Sequence, residues 1–365
     1  MSKKAATLAD VAREAGISKT TASHALSGKG WVSSKTRDAV LEAALRLGFE
    51  VDPLAQRLSV GRCPRTIGFY SLDIDLSGRT RQLQIIQAAL NDLGFSVPIH
   101  AYGYRGSHLE QNQMDVMSTM LSQRPRAVVC NMSGVLPQVM ARLERFQEEG
   151  GIVVCYGYGS ARDITCDQVL FDEEHSTYLA ARHLLELGHR DIGLFNVGQR
   201  VPATDTLLGF ERALGEFGVD VRPEWLFGNE GVLRYEEEGV LLAEQFLRLK
   251  QRPTGMCVAN DYAATAFVST LVRAGVRVPE DVSVVGDDDD PIAPHGVVPL
   301  TTISQPIEPI TVQVIQMLQE RLETTFSGPP RTVIVQGELV LRRSTAEATE
   351  NASPVPKNAV KCIAR

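Results

Sequence analysis

Between positions 18 and 24 the chain carries six side chains that hydrogen-bond readily to a polyanion: Ser18, Lys19, Thr20, Thr21, Ser23 and His24. Lys19 can donate to the O6/N7 edge of guanine. Thr20 can meet a thymine methyl or a polar base edge, and His24 follows one helical turn later. The short hydroxyls of Ser18, Thr21 and Ser23 suit phosphate oxygens, as do the free amides that open a helix. This chemistry requires a helix that holds the six near one exposed side, so the neighbouring elements decide. Thr7, with Asp10 three residues on, signals a helix start. Leu8, Val11, Ala12 and Ala15 recur at helical spacing, and Gly16 is suited to stop the helix. Ser18 then caps a second helix running to about Leu26, with Ala22, Ala25 and Leu26 on its apolar side. Gly28 and Gly30 interrupt the pattern. Ser33 opens a third helix, in which Val40, Ala43, Ala44 and Leu47 turn inward. Helix, glycine turn and helix fit a helix-turn-helix, which lays its second helix in the major groove. A generic three-helix domain with a solvated polar face fits the same residues.

Charge and composition set the wider frame. The chain has 365 residues and a net charge of −7, which by itself argues against nucleic acid. Its distribution reverses that: residues 1–62 hold ten Lys/Arg against six Asp/Glu, so a basic head precedes an acidic body. The six cysteines are far apart with no CxxC pair, which indicates neither a zinc site nor a disulfide framework. No stretch approaches ~18 continuous apolar residues, and the N-terminus lacks an apolar run of the secretory kind. A cytoplasmic protein without membrane contact is expected.

Beyond residue 65 the texture changes. Apolar runs at 66–72, 95–102, 127–133, 151–158, 191–198, 255–261 and 281–287 read as strands, with helical patterns between them. Such alternation implies parallel sheets covered by helices on both faces. One large sheet, a barrel or two lobes remain open on spacing alone. A short segment at 52–61 has Asp52 as a cap, Pro53 in the first turn, then Leu54, Ala55 and Leu58. It is too short to be helical without support.

The head carries a more specific signal. Residues 7–49, TLADVAREAGISKTTASHALSGKGWVSSKTRDAVLEAALRLGF, resemble the N-terminal domain of the lactose/galactose repressor (LacI/GalR) family in more than fifteen positions. Ala22 departs from the family's usual valine. The resemblance runs on to about residue 344. It is carried by FDEEHSTYLAARHLLELGHRDIGLFN (171–196), PTGMCVANDYAATAFVSTLVRAGVRVPEDVSVVGDDD (253–289), PLTTISQP (299–306) and GELVLRRST (337–345).

That resemblance implies an all-α helix-turn-helix DNA-binding head and an α/β periplasmic-binding-protein-like effector domain of two lobes joined by three crossovers. The expected boundaries are 1–50 for the head and 51–62 for a hinge helix and linker. The first lobe is expected at 63–161 plus 292–323, the second at 162–291 plus 324–343, and a disordered tail at 344–365. The resemblance also implies a homodimer on a roughly palindromic double-stranded operator, with a small-molecule effector between the lobes switching DNA affinity. Leu58 falls where the family's hinge helix wedges a leucine into the minor groove.

Effector contacts are expected from Asp288, at the aspartate of the family's G-[FY]-D segment, from Asn260 in its A-N-D segment, and from Gln305 after L-T-T-I-S. Ser71 and Asp73 close the first strand and face the same cleft. Two departures bear on the ligand. Thr206 stands where most members have an arginine. Leu76-Ser77-Gly78 replaces the usual N-P-F/Y, and Arg79 after it is the candidate for a charge from the first lobe. Asp287 replaces an aromatic residue, which makes an Asp287–Asp290 run that reads as a solvated acidic turn rather than a metal site.

Catalysis has no foothold. GxSxG, GxxxxGK[ST], HExxH and a strand-following GxGxxG are all missing, and His183 and His189 have no evident nucleophile nearby. No catalytic residue, metal or cofactor is expected. A transporter's solute-binding protein would not carry residues 7–60, and an enzyme fused to a DNA-binding head would need a nucleophile–base pair.

Overall fold

A computed structural model describes residues 7–27, 32–47, 63–72, 77–102, 109–158, 164–196, 204–228 and 234–348. The chain divides into two compact units that part at Pro64.

The first unit is the head. Helix α1 (Leu8–Glu14) begins at a capping box in which the Asp10 amide donates to Thr7 Oγ1 and the Thr7 amide donates to Asp10 Oδ2 at 3.0 Å. It ends through Gly16 at φ 66°, and the Ile17 amide returns to the Ala12 carbonyl at 2.9 Å. Glycine suits this left-handed position because it has no Cβ to clash there. Helix α2 (Lys19–Ser27) opens on Ser18, whose Oγ accepts the Thr21 amide at 3.1 Å. Helix α3 (Ser34–Leu47) opens on Ser33, which accepts the Thr36 amide at 3.2 Å. Val11, Ala12, Ala22, Ala25, Val40, Ala43 and Ala44 form the core. Five of these are alanines, so the three helix backbones approach closely and Ala22 fits fully buried.

In the second unit, strands β1 (Cys63–Leu72), β2 (Ile99–Tyr102), β3 (Pro125–Asn131), β4 (Ile152–Tyr158) and β5 (Asp167–Phe171) belong to one sheet. Strands β6 (Ile192–Phe195), β7 (Leu226–Phe227), β8 (Gly255–Val258), β9 (Ser283–Asp288) and β10 (Thr301–Ser304) belong to another. Strand β11 (Thr332–Val335) completes the first sheet in the order β11-β5-β4-β3-β1-β2. Strand β12 (Glu338–Val340) completes the second in the order β12-β10-β9-β8-β6-β7. Helices flank both sheets, and their apolar faces form separate cores in the two lobes. The two-lobed alternative among the three that spacing left open is the one present.

The chain passes between lobes three times: after β5, after β10, and between β11 and β12. These crossings correct the expected lobe boundaries. Strand β5 stays in the first sheet, beyond the expected break at 161. Strand β10 lies in the second sheet, within the 292–323 segment expected in the first lobe. Strand β11 returns to the first sheet, within the 324–343 segment expected in the second lobe. Each is four or five residues long and sits beside linker-like sequence, so only its pairing reveals its lobe.

Residues 344–348 are also not a disordered tail. Ser344 is fully buried; its Oγ donates to the Val284 carbonyl at 2.6 Å and accepts the Thr301 amide at 2.8 Å. The Ala348 amide donates to Leu187 O at 2.8 Å. The rest of that expected tail, and the hinge segment 51–62 with Leu58, lie outside the described residues.

Candidate functional site

On the head, Lys19, Thr20 and His24 are all exposed. Thr20 and His24, four residues apart on α2, share one face, and Lys19 adjoins it. The hydroxyls of Ser18 and Thr21 lie 2.8 Å apart and form the first-turn cap, so both groups are pre-positioned by the helix start. Ser23 is half-buried, next to Ala22 in the core.

In the body, the strand ends gather the polar groups. Asn260 follows the end of β8 by two residues and caps helix Asp261–Arg273: its Oδ1 accepts the amides of Tyr262 at 2.9 Å and Ala263 at 3.2 Å. That leaves its Nδ2 to donate to Asp288 Oδ2 at 2.7 Å. Gln305, just past β10, donates from Nε2 to Asp288 Oδ1 and to the hydroxyl of Tyr158 at the end of β4. One carboxylate on the second lobe is thus tied through one amide to a phenol on the first. Three of the residues expected from sequence, Asn260, Asp288 and Gln305, meet here. Tyr158 was missed, although its position at the C-terminal end of an apolar strand was a usable signal.

The backbone at this point is unusual. Asp288 has φ 120° and Asp289 has φ 51°, conformations that cost a non-glycine residue on the order of 1–3 kcal/mol. Neighbouring contacts hold them: Arg342 pairs with Asp289, and the Asp290 amide donates to buried Asp261 Oδ2 at 2.8 Å. Thr302 Oγ1 donates to the other oxygen of Asp261 at 2.6 Å. Burial, with Asp288 beside it, pushes the Asp261 carboxyl well above the usual range.

An open cavity of about 360 Å3 adjoins Asp288 and Gln305, with Arg81, Ser304, Gln336 and Glu338 also on its walls. Arg81 lies 3.8 Å from Glu308, a loose pair at the rim.

The other expected contacts are placed less centrally. Ser71 lies near the end of β1 and is buried. Arg79 lies in the first turn of helix Ser77–Asp92. Asp73 falls outside the described residues. Thr206 is buried in the first turn of helix Thr204–Glu216, and Asn196 Nδ2 lies 3.5 Å from its Oγ1, so no charge stands at that position.

The acidic run is not the solvated turn expected. Asp290 is buried, Asp289 is ion-paired and the Oδ1 of Asp287 is closed to solvent. Burial pushes Asp287 well above the usual carboxyl range, reinforced by Asp288, Asp261 and Glu173. No group of His, Cys, Asp or Glu among the described residues is arranged to hold a metal.

The two histidines have structural partners. His189 Nδ1 lies 2.9 Å from Thr254 Oγ1, and its Nε2 lies 3.1 Å from both Ser283 Oγ and Ala346 O. His183 Nε2 lies 3.0 Å from Thr345 Oγ1. No helix among the described residues is long and apolar enough to cross a membrane.

Comparison with known proteins bears on both units. Residues 7–51 match the family described as bacterial regulatory proteins, lacI family, and residues 181–345 match a periplasmic binding protein-like domain. The HTH-type transcriptional repressor PurR of Erwinia tasmaniensis is 30% identical over 345 residues, covering 94% of this chain and 97% of that protein. PurR of Photobacterium profundum is 28% identical over 344 residues, covering 94% and 99%. The lac repressor dimer bound to operator and the anti-inducer ONPF superimposes with a TM-score of 0.75 at 26% identity, covering 94% of this chain and all of that one. The chain therefore belongs to the lacI family of bacterial regulatory proteins, as a DNA-binding transcriptional repressor with an effector-binding domain and not an enzyme.

Proposed function

We propose that the chain acts in the cytoplasm as a homodimer on a roughly palindromic operator, with one head per half-site and a small molecule between the lobes setting DNA affinity. The observation that carries this reading is the Tyr158–Gln305–Asp288–Asn260 chain of hydrogen bonds, which spans the two lobes at their crossovers. A ligand that competes for those groups binds open and closed lobes unequally, which is what shifting an equilibrium requires. Effector coupling of this kind is typically ~1–3 kcal/mol.

In this reading Lys19, Thr20 and His24 contact base edges, while Ser18, Thr21 and Ser23 contact phosphate. Residues 1–50 form the head and 51–62 the hinge, with Leu58 as its minor-groove wedge. Ser71, Asp73 and Arg79 supply the first lobe's share of the effector site. The exposed positions of Lys19, Thr20 and His24 support the base-reading roles, and the PurR and lac repressor names support the operator reading.

Selecting duplexes from a random library with the full-length chain tests the reading. The expected product is an inverted repeat, with Lys19→Ala or His24→Ala broadening base choice within each half-site. Recovery of unrelated sequences, or no change in choice in either variant, overturns it.

A further inference from the structure

We propose that a small cavity beside Asp287 is an ammonium subsite, which takes the protonated primary amine of the molecule bound between the lobes. This rests on the effector reading above and adds the chemical class of the ligand. The cavity lies in the second lobe, between the first turns of helix Glu173–Glu186 and the C-terminal ends of β8, β9 and β10. Ser176, Thr177, Val258, Ala259, Asp287 and Ile303 are among its walls. Its volume of about 10 Å3 is room for one water-sized group.

Two polar atoms on these walls have no partner. Ser176 is 1% exposed, and its Oγ makes no hydrogen bond. The Oδ1 of Asp287 is equally shielded and equally unmatched. Buried polar atoms are ordinarily satisfied, and an orphaned hydroxyl and carboxylate on one small void point to a donor placed there. Water and –NH3+ are close in size, and charge discriminates between them. Asp288, Asp261 and Glu173 all bear on Asp287. No Lys or Arg among the described residues donates to its Oδ1. A neutral donor leaves Asp287 protonated, whereas an ammonium offers three N–H groups and stabilises its ionised form against those neighbours.

The same cluster sets the pH dependence. Burial and the three neighbouring carboxylates favour the protonated form of Asp287, and a bound cation favours the ionised one. Cation binding therefore releases a proton and tightens as pH rises.

The test is thermal melting of the full-length chain at constant ionic strength, with sodium replaced stepwise by ammonium, methylammonium, potassium or tetramethylammonium. Ammonium and methylammonium are expected to raise Tm by about 2 °C above sodium at a few-fold excess over Kd. The rise should be greater at about pH 8 than at about pH 6. Tetramethylammonium should give no rise. Asp287→Asn should remove the rise, and Ser176→Ala should reduce it. No rise with ammonium, an equal rise with potassium, a rise confined to ammonium without methylammonium, or a rise that survives Asp287→Asn each overturns the subsite. None of these touches the sensor reading, which fails on operator selection instead.

Discussion

Asp167 and Asp287 are two shielded carboxylates with opposite consequences. Burial alone would raise the pKa of Asp167, but Arg321 and Arg331 donate to it at 2.8 to 3.0 Å and hold it below its ordinary value. Its contribution to stability is therefore present above the ordinary carboxyl pKa and is lost as pH falls through the lowered one. Asp167→Asn should cost about 3 kcal/mol at neutral pH, read as a lower Tm whose deficit shrinks in acid. Asp287 is raised, so its ionisation opposes folding as pH climbs. Asp287→Asn should raise Tm at alkaline pH, with the gain fading in acid; equal Tm shifts at both pH values would contradict that assignment. Asp288→Ala should flatten the effector dose–response of operator binding while operator affinity without effector is kept, measured by fluorescence anisotropy. Asn260, Asp288 and Gln305 were legible beforehand because each sits in a recognisable segment of sequence. The orphaned pair Ser176 and Asp287 was not, because 111 positions separate them and only the packing of a helix on a sheet places them on one void.

Helices are more legible in this sequence than strands, and length explains why. The head's three helices carry caps and 3.6-residue apolar spacing, and all three form where the sequence places them. Strands β1, β3 and β4 are longer and mostly apolar. Strands β5, β10, β11 and β12 are short, and their membership depends on partners far away in sequence: β5 pairs with β11, more than 150 residues on. No local period encodes that choice. Helix packing in the second lobe is tight enough to test directly. A Cβ on Gly209 would lie 2.0 Å from the Glu174 carbonyl, so helices Glu173–Glu186 and Thr204–Glu216 touch backbone to side at that point. Gly209→Ala should cost about 1–3 kcal/mol, read as a lower melting temperature of the effector domain. An unchanged melting temperature would mean the two helices can part without loss.

Across the whole molecule, charge is divided by domain. A net −7 chain with a basic head should hold random duplex DNA weakly and through phosphates alone. Affinity for random duplex should fall at least about 100-fold between about 50 and 200 mM salt. A flat salt response would remove the head from the DNA. The order of the sheets carries one more consequence. Strands β11 and β12 close the outer edges of the two lobes, and Ser344 and Ala346 are stitched between β9, β10 and His189. During synthesis the head has its full helical core once residue 47 has emerged, whereas neither lobe can seat its last strand until residues 332–348 follow. A nascent chain thus owns a finished reading head well before it owns a complete effector-binding domain, and any response to an effector begins only when translation is nearly done.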